Sequence, residues 1–289
     1  MRSLTSLITA AMIACSGTVL CSGTVLFSQR ALAFVKDFVE IHNVNTAQLT
    51  AALADNKAKG NHLVGIEVYR GFGQNYYAAI WRTAGKPFDP IPFYGQNLAQ
   101  FRQTLNDVRA QKLRPTTISV APGGTFASTW QDNTDGRNWF VATGMTSSEY
   151  QAVFNRAVAS GMRLKDLQGY IAADGQVRFA AWFDNYGQGE WYARHDMTGE
   201  EYLAAALDFK SKGFSIVAIE GYSTPSGPRY AARWINLNGA EDHNLAFQDV
   251  STADFETIVN QQVANTYSLI HVSGYTKNGM PHFALLFQK

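Results

Sequence analysis

The chain has 289 residues, with 24 basic and 23 acidic side chains, and its two cysteines both fall within the first 21 positions. Charge near balance and the lack of any basic run remove the electrostatic footprint of a nucleic-acid binder. Beyond residue 33 there is no cysteine and no apolar run long enough to span a bilayer. That excludes a disulfide framework, a thiolate nucleophile or a cysteine metal site in that part of the chain.

The chain opens with Arg2, an apolar run to Phe27 and "ALA" at Ala31–Ala33, the pattern of a cleaved export signal spanning residues 1–33. The run is long because "CSGTVL" occurs twice in succession, at Cys15–Leu20 and Cys21–Leu26. A lipid anchor at Cys15 is the weaker reading, because Met12 is a poor residue for its recognition and "ALA" is the better site. The expectation is a soluble protein, secreted or periplasmic, that begins at Phe34 with 22 basic and 23 acidic residues.

From there one unit recurs five times. The first, residues 34–96, has a helix start at Asn45, the strand "LVGIEVY", the strand "YAAIW" (Tyr77–Trp81) and a short segment "IPFYG". The second, 97–144, has Asn97, "TTISVA", a "PGG" turn, "FASTW" (Phe126–Trp130) and "NWFVATG". The third, 145–196, has Thr146, "DLQGYIA", "ADG", "FAAWF" (Phe179–Phe183) and "EWYARHD". The fourth, 197–249, has Thr198, "SIVAIEGY", "TPSG", "YAARW" (Tyr230–Trp234) and "HNLAFQD". The fifth, 250–289, has Ser251, "SLIHVSGY", "KNG" and "FALLF" (Phe283–Phe287), and reads as truncated. The aromatic strands are spaced by 49, 53, 51 and 53 residues, a period of about 51.

The helix starts carry capping boxes, in which cap and third residue each satisfy an orphan backbone N–H. They are Asn45/Gln48, Asn97/Gln100, Thr146/Glu149, Thr198/Glu201 and Ser251/Asp254. Val44, Met145, Met197 and Val250 precede four of the caps and form hydrophobic staples with the residue after each box. Gly60, Gly161 and Gly213 stand fifteen residues after their caps, where a helix ends in a left-handed residue. Lys112 and Thr266 replace the glycine in units two and five, so those helix ends are expected to differ. Helix alternating with hairpins gives an α+β class, five tandem helix-plus-antiparallel-strand units in a curved array or half-barrel.

Alternate residues of the aromatic strand share a face. Tyr230, Ala232 and Trp234 make one face, a notch of two rings around a small residue into which a helix packs. The second position is alanine in all five copies (Ala78, Ala127, Ala180, Ala231, Ala284), which implies close approach on the opposite face as well. The fourth varies: Ile80, Thr129, Trp182, Arg233, Leu286. Variation among matching copies marks Trp182 and Arg233 as the candidate exposed, ligand-specialised pair.

The fivefold strand motif, the "GY" before it (Gly169-Tyr170, Gly221-Tyr222, Gly274-Tyr275) and the "MTxxEY" helix start (Met145–Tyr150, Met197–Tyr202) resemble the bacterial tandem repeat domain. That domain forms the amino-terminal half-barrel of polyglycine hydrolases, which are secreted serine proteases. The resemblance spans residues 34–289 and implies a repeat scaffold that engages a substrate or partner. The hydrolases carry their Ser-x-x-Lys nucleophile in a separate β-lactamase-like domain. This sequence has no S-x-x-K, so the catalytic residues do not carry over.

No G-x-S-x-G, H-E-x-x-H or P-loop pattern occurs, nothing points to a cofactor, and the six histidines show no metal-ligand spacing. His271 and His282 are placed to face each other across the last hairpin. Closure of the five units into a ring like the pentein fold is the alternative architecture, without the catalytic cysteine of guanidine-modifying penteins. Glu67 and Glu220 are the best acid pair, each two residues before the tyrosine of "EVY" or "EGY". Solvent exposure is the expectation for both. Lying three repeats apart, they can act together only if the array closes or curves strongly. Asp/Asn/Gly-rich loops at 132–138, 184–190 and 236–244 read as turns, and Trp139 and Trp191 follow two of them, placed to stack on sugar or peptide. The reading is an exported, non-catalytic protein that binds a peptide, protein or glycan on the sheet face or inter-repeat loops. The alternatives are a peptidase-related hydrolase with its site at repeat junctions, or a structural envelope component.

Overall fold

The structure is a computed structural model that describes residues 36–83 and 90–289. Residues 1–33, read above as an export signal with Cys15 and "ALA", lie outside the described residues. None of the described helices is long and apolar enough to cross a membrane.

Unit one consists of β1 (Phe38–Val44), α1 (Thr46–Ala58), β2 (His62–Gly71) and β3 (Gln74–Arg82). Unit two follows with β4 (Ile91–Gln96), α2 (Leu98–Ala110), β5 (Leu113–Ala121) and β6 (Thr125–Asp132). Unit three has β7 (Trp139–Met145), α3 (Ser147–Ala159), β8 (Arg163–Ile171) and β9 (Val177–Asp184). Unit four has β10 (Trp191–Met197), α4 (Gly199–Ser211), β11 (Phe214–Thr224) and β12 (Gly227–Asn236). Unit five has β13 (Asn244–Ser251), α5 (Thr252–Ala264), β14 (Ser268–Lys277) and β15 (Met280–Gln288). Each sheet is antiparallel with the aromatic strand in the middle, as in the order β1-β3-β2. The short strand before each helix therefore pairs inside that helix's own unit. The units begin one strand earlier than boundaries drawn at the caps, and the fifth has the same four elements as the others.

All five N-caps form as expected, with complete boxes at Asn45, Asn97, Thr146 and Thr198. At Ser251 the cap accepts from the Asp254 N–H, but aspartate is one methylene too short to reach back, and its carboxylate accepts from the Ser251 hydroxyl instead. The helix ends do not differ. Lys112 and Thr266 take φ of 56° and 68°, the same left-handed turn as Gly60, Gly161 and Gly213. Chain reversal into the following strand imposes the turn whatever residue occupies it.

The helix packs on the notch face of its sheet, with Phe101 stacked on Phe126 at 4.4 Å and Phe209 on Trp234 at 4.6 Å. Burying such rings contributes about 1.5–3 kcal/mol each. The opposite face of each sheet is not free. Ala127 of unit two completes the core of unit one, and Ala180 and Trp182 of unit three complete that of unit two. Ala231 of unit four closes the core of unit three, and Ala284 and Leu286 of unit five close that of unit four. Ala78 and Ile80 of unit one then complete the core of unit five. The cycle is closed, so the curved array is a ring. The inner strands β2, β5, β8, β11 and β14 touch in turn, and β14 meets β2. The five sheets stay separate, joined by packing rather than by one continuous hydrogen-bonded sheet.

The "GY" pairs build these junctions. Gly169 faces the ring of Tyr222, Gly221 that of Tyr275, and Gly274 that of Tyr69, so the seam between the last and first units repeats the contact made inside the array. At the seam Phe72 N–H also donates to Gly279 O at 2.9 Å, matching Gly123 N–H to Ile171 O at 2.8 Å between units two and three.

Candidate functional site

Ring closure converts a strand position into a cluster. Glu67, Ser119, Gln168, Glu220 and Ser273 share one register, each opposite the motif alanine of its neighbouring strand. All five are buried, and they meet around the axis. The expectation that Glu67 and Glu220 are exposed is overturned, because the next unit covers the sheet face that carries them. The Ser119 hydroxyl donates to Glu67 Oε2 at 2.7 Å, and Gln168 Nε2 donates to Glu220 Oε2 at 2.5 Å. A bulge in every inner strand, at residues 64, 116, 165, 217 and 270, increases the local twist and sets a second tier: Gly65, Thr117, Asp166, Ala218 and His271. His271 Nε2 lies 2.7 Å from Glu220 Oε1, close but not aligned for a hydrogen bond. One ligand atom each of Glu67, Glu220 and His271 falls within 4.8 Å of the others. The acid pair three repeats apart is thus brought together.

This cluster retains protons. Burial, and then the charge of Glu220, holds the Glu67 carboxyl well above the usual carboxylate range. The same two causes push Asp166 up to about 8. Burial alone would lower His271, but Glu220, Glu67 and Asp166 together raise it to about 10. Space is small. One cavity of about 20 Å³ is lined by Gly65, Glu67, Thr117 and His271, and another of about 10 Å³ by Asp166, Glu220 and Arg233. Each holds a water-sized guest at most, against several hundred Å³ for a typical organic ligand.

The structure scatters the other candidates. Trp182 is buried in the core of unit two, and Arg233 is half-buried against unit three. The exposed row they were expected to form does not exist, because the variable fourth position specialises the junctions between units. Burial lowers the Arg233 guanidinium to about 10 in spite of the nearby Asp166 and Asp184 carboxylates. Trp139 packs on Trp130 at 5.5 Å under the Arg109 guanidinium, and Trp191 on Phe154 at 5.7 Å under that of Arg163. Both are half-buried helix-packing groups. His271 pairs with Leu286 and His282 with Tyr275, so the two histidines do not face each other.

A second grouping lies at the loop end of the ring. Loops 132–138 and 184–190 are clasped by Asn138 N–H to Asn185 Oδ1 at 3.0 Å and Asn185 N–H to Asn138 O at 3.1 Å. Tyr186 is 56% exposed, with the Arg137 guanidinium 3.5 Å over its ring and Lys165 donating to its carbonyl at 2.9 Å. Arg114 and Arg163 flank the loops, and buried Asp184 anchors Lys165 at 3.0 Å. Sequence reading missed Asp166 and Tyr186, and set His271 against His282 rather than beside Glu220. Aligning the inner strands on their tyrosines, with Ala121 in that place in β5, exposes the polar column at the axis, whereas nothing local distinguishes Tyr186 from other loop residues.

The family model described as "Polyglycine hydrolase-like, structural repeat" matches five times, at residues 36–84, 93–133, 136–186, 188–236 and 246–289. No curated protein matches the chain. The five matched segments follow the five structural units.

Proposed function

As the chain belongs to the family of polyglycine hydrolase-like structural repeats, we propose that it is an exported binding module that takes its ligand on the inter-repeat loops. Each sheet packs against its helix on one side and a neighbouring unit on the other, which favours the loops over the sheet face as the place for a ligand. The observation that carries the reading is Tyr186, an exposed ring stacked under Arg137 with Lys165 beside it. An aromatic platform among cationic side chains suits a peptide or glycan that bears carboxylates. Export rests on the pattern of residues 1–33 and is tested by amino-terminal sequencing of the secreted protein, which should begin at Phe34.

Peptide and glycan arrays probed with the protein, its Tyr186→Ala and its Arg137→Ala variants test the site. Capture of a carboxylate-bearing ligand that weakens at least about tenfold in both variants is expected. No capture, or capture indifferent to both changes, sinks the assignment. The hydrolase reading rests on the axial acid pair, and the cavities of about 20 and 10 Å³ beside that pair lend it little support.

A further inference from the structure

Buried acids need a reason to face one another. Units one, four and five each supply an ionisable group to the axial cluster of Glu67, Glu220 and His271, and unit three adds Asp166, while the remaining positions of the two tiers hold serine, glutamine, glycine, threonine or alanine. Glu67 is 5% exposed, and its Oε1 has no hydrogen-bond partner although its ligand atom lies within 4.8 Å of those of Glu220 and His271. Asp166 Oδ1, in the next tier, is likewise buried and unpartnered. An orphaned carboxylate oxygen in a protein interior is costly unless a cation or proton meets it. The His271 side chain is 19% exposed, so the imidazole reaches solvent although its Nε2, which faces Glu220, is buried.

We propose that Glu67, Glu220 and His271 form a binding site for one divalent transition-metal ion, with Asp166 beside it as a further oxygen donor. Two carboxylates balance the ion's charge, and the imidazole selects a borderline ion such as Zn²⁺ over Ca²⁺, which takes six to eight oxygens. Bonds of about 2.0–2.2 Å to one ion set tetrahedral donor atoms about 3.3 Å apart, so His271 Nε2 and Glu220 Oε1, now 2.7 Å apart, must open slightly, and any pair near the 4.8 Å limit of the cluster must close. The ligands come from units one, four and five. Binding therefore ties the first unit to the last two across the ring seam, a stabilising link between segments far apart in sequence.

The test is stoichiometric binding of Zn²⁺ by the purified chain, with Co²⁺ as a visible-spectrum probe of ligand geometry. One equivalent is expected to bind, and a hundredfold excess over Kd should raise Tm by about 5–10 °C. Glu220→Gln and His271→Gln should each abolish the binding and the Co²⁺ spectrum. His42→Ala should leave both intact; it alters the separate group of Glu40, His42 and Glu256, the other place where metal-ligating side chains meet among the described residues. No stoichiometric uptake, or uptake lost in His42→Ala but kept in His271→Gln, overturns the proposal. Should the axial variants fail to fold, anomalous diffraction from parent crystals soaked in Zn²⁺ decides. A peak among Glu67, Glu220 and His271 supports the site, and none there refutes it.

Discussion

Gly274→Ala tests ring closure directly. A methyl group at this position would sit 2.5 Å from Cγ of Tyr69, and one at Gly169 would sit 2.5 Å from Cγ of Tyr222. Cγ moves only with rotation of the whole ring about the Cα–Cβ bond, and both rings are buried and held at their hydroxyls by backbone N–H groups, so the ring contact or the backbones must give way. Such overpacking costs about 1–3 kcal/mol. Replacing glycine recovers about 0.4–1 kcal/mol by restricting the unfolded chain. The net is a loss of up to about 2.6 kcal/mol, which for a domain of this size lowers Tm by up to about 10 °C. Thermal and urea unfolding of Gly274→Ala beside Gly169→Ala reads it out. Both variants should fall by similar amounts, because the seam repeats the internal contact. In a Tyr69→Ala background the added methyl should cost nothing. A Gly274→Ala protein as stable as the parent, beside a destabilised Gly169→Ala, would refute closure, since an open array leaves Gly274 with no tyrosine to meet.

Thr266 is a β-branched residue at φ 68°, and Thr266→Gly should raise stability by about 1 kcal/mol in a urea melt; an unchanged or lower midpoint would contradict the strain argument. Asp254→Glu should complete the one unfinished capping box and add about 0.5 kcal/mol, read in the same way. Stability should also depend on pH through Asp166. The unfolded chain releases this proton near 3.8, and the folded chain holds it up to about 8. The folded state therefore binds more protons between those values. Its contribution is full below pH 4 and is lost as pH rises through 8. The urea midpoint of the parent should fall relative to that of Asp166→Asn between pH 5 and 8, and parallel profiles would contradict the assignment.

Much of the local structure was legible along the chain. Caps, staples, hairpin turns and the two-ring notch are set by residues a few positions apart, so Asn45, Thr146 or Phe126 can be placed without knowing the rest of the fold. The family resemblance follows from the same local signals, repeated at a fixed period. Even so, Thr266 shows that a local signal yields to chain reversal when the two disagree. What the tertiary structure alone decided is which faces are covered. Trp182 and Arg233 vary among the copies because each meets a different neighbouring unit, and no single strand reveals its neighbour. Glu67 and Glu220 alternate with apolar residues as solvent-facing acids do, yet closure buries them together. The pairing of units one and five joins segments more than two hundred residues apart, such as Asn43 with Thr252. Nothing in either segment signals that contact. It arises from the summed rotation of five packed junctions, a property of the whole ring.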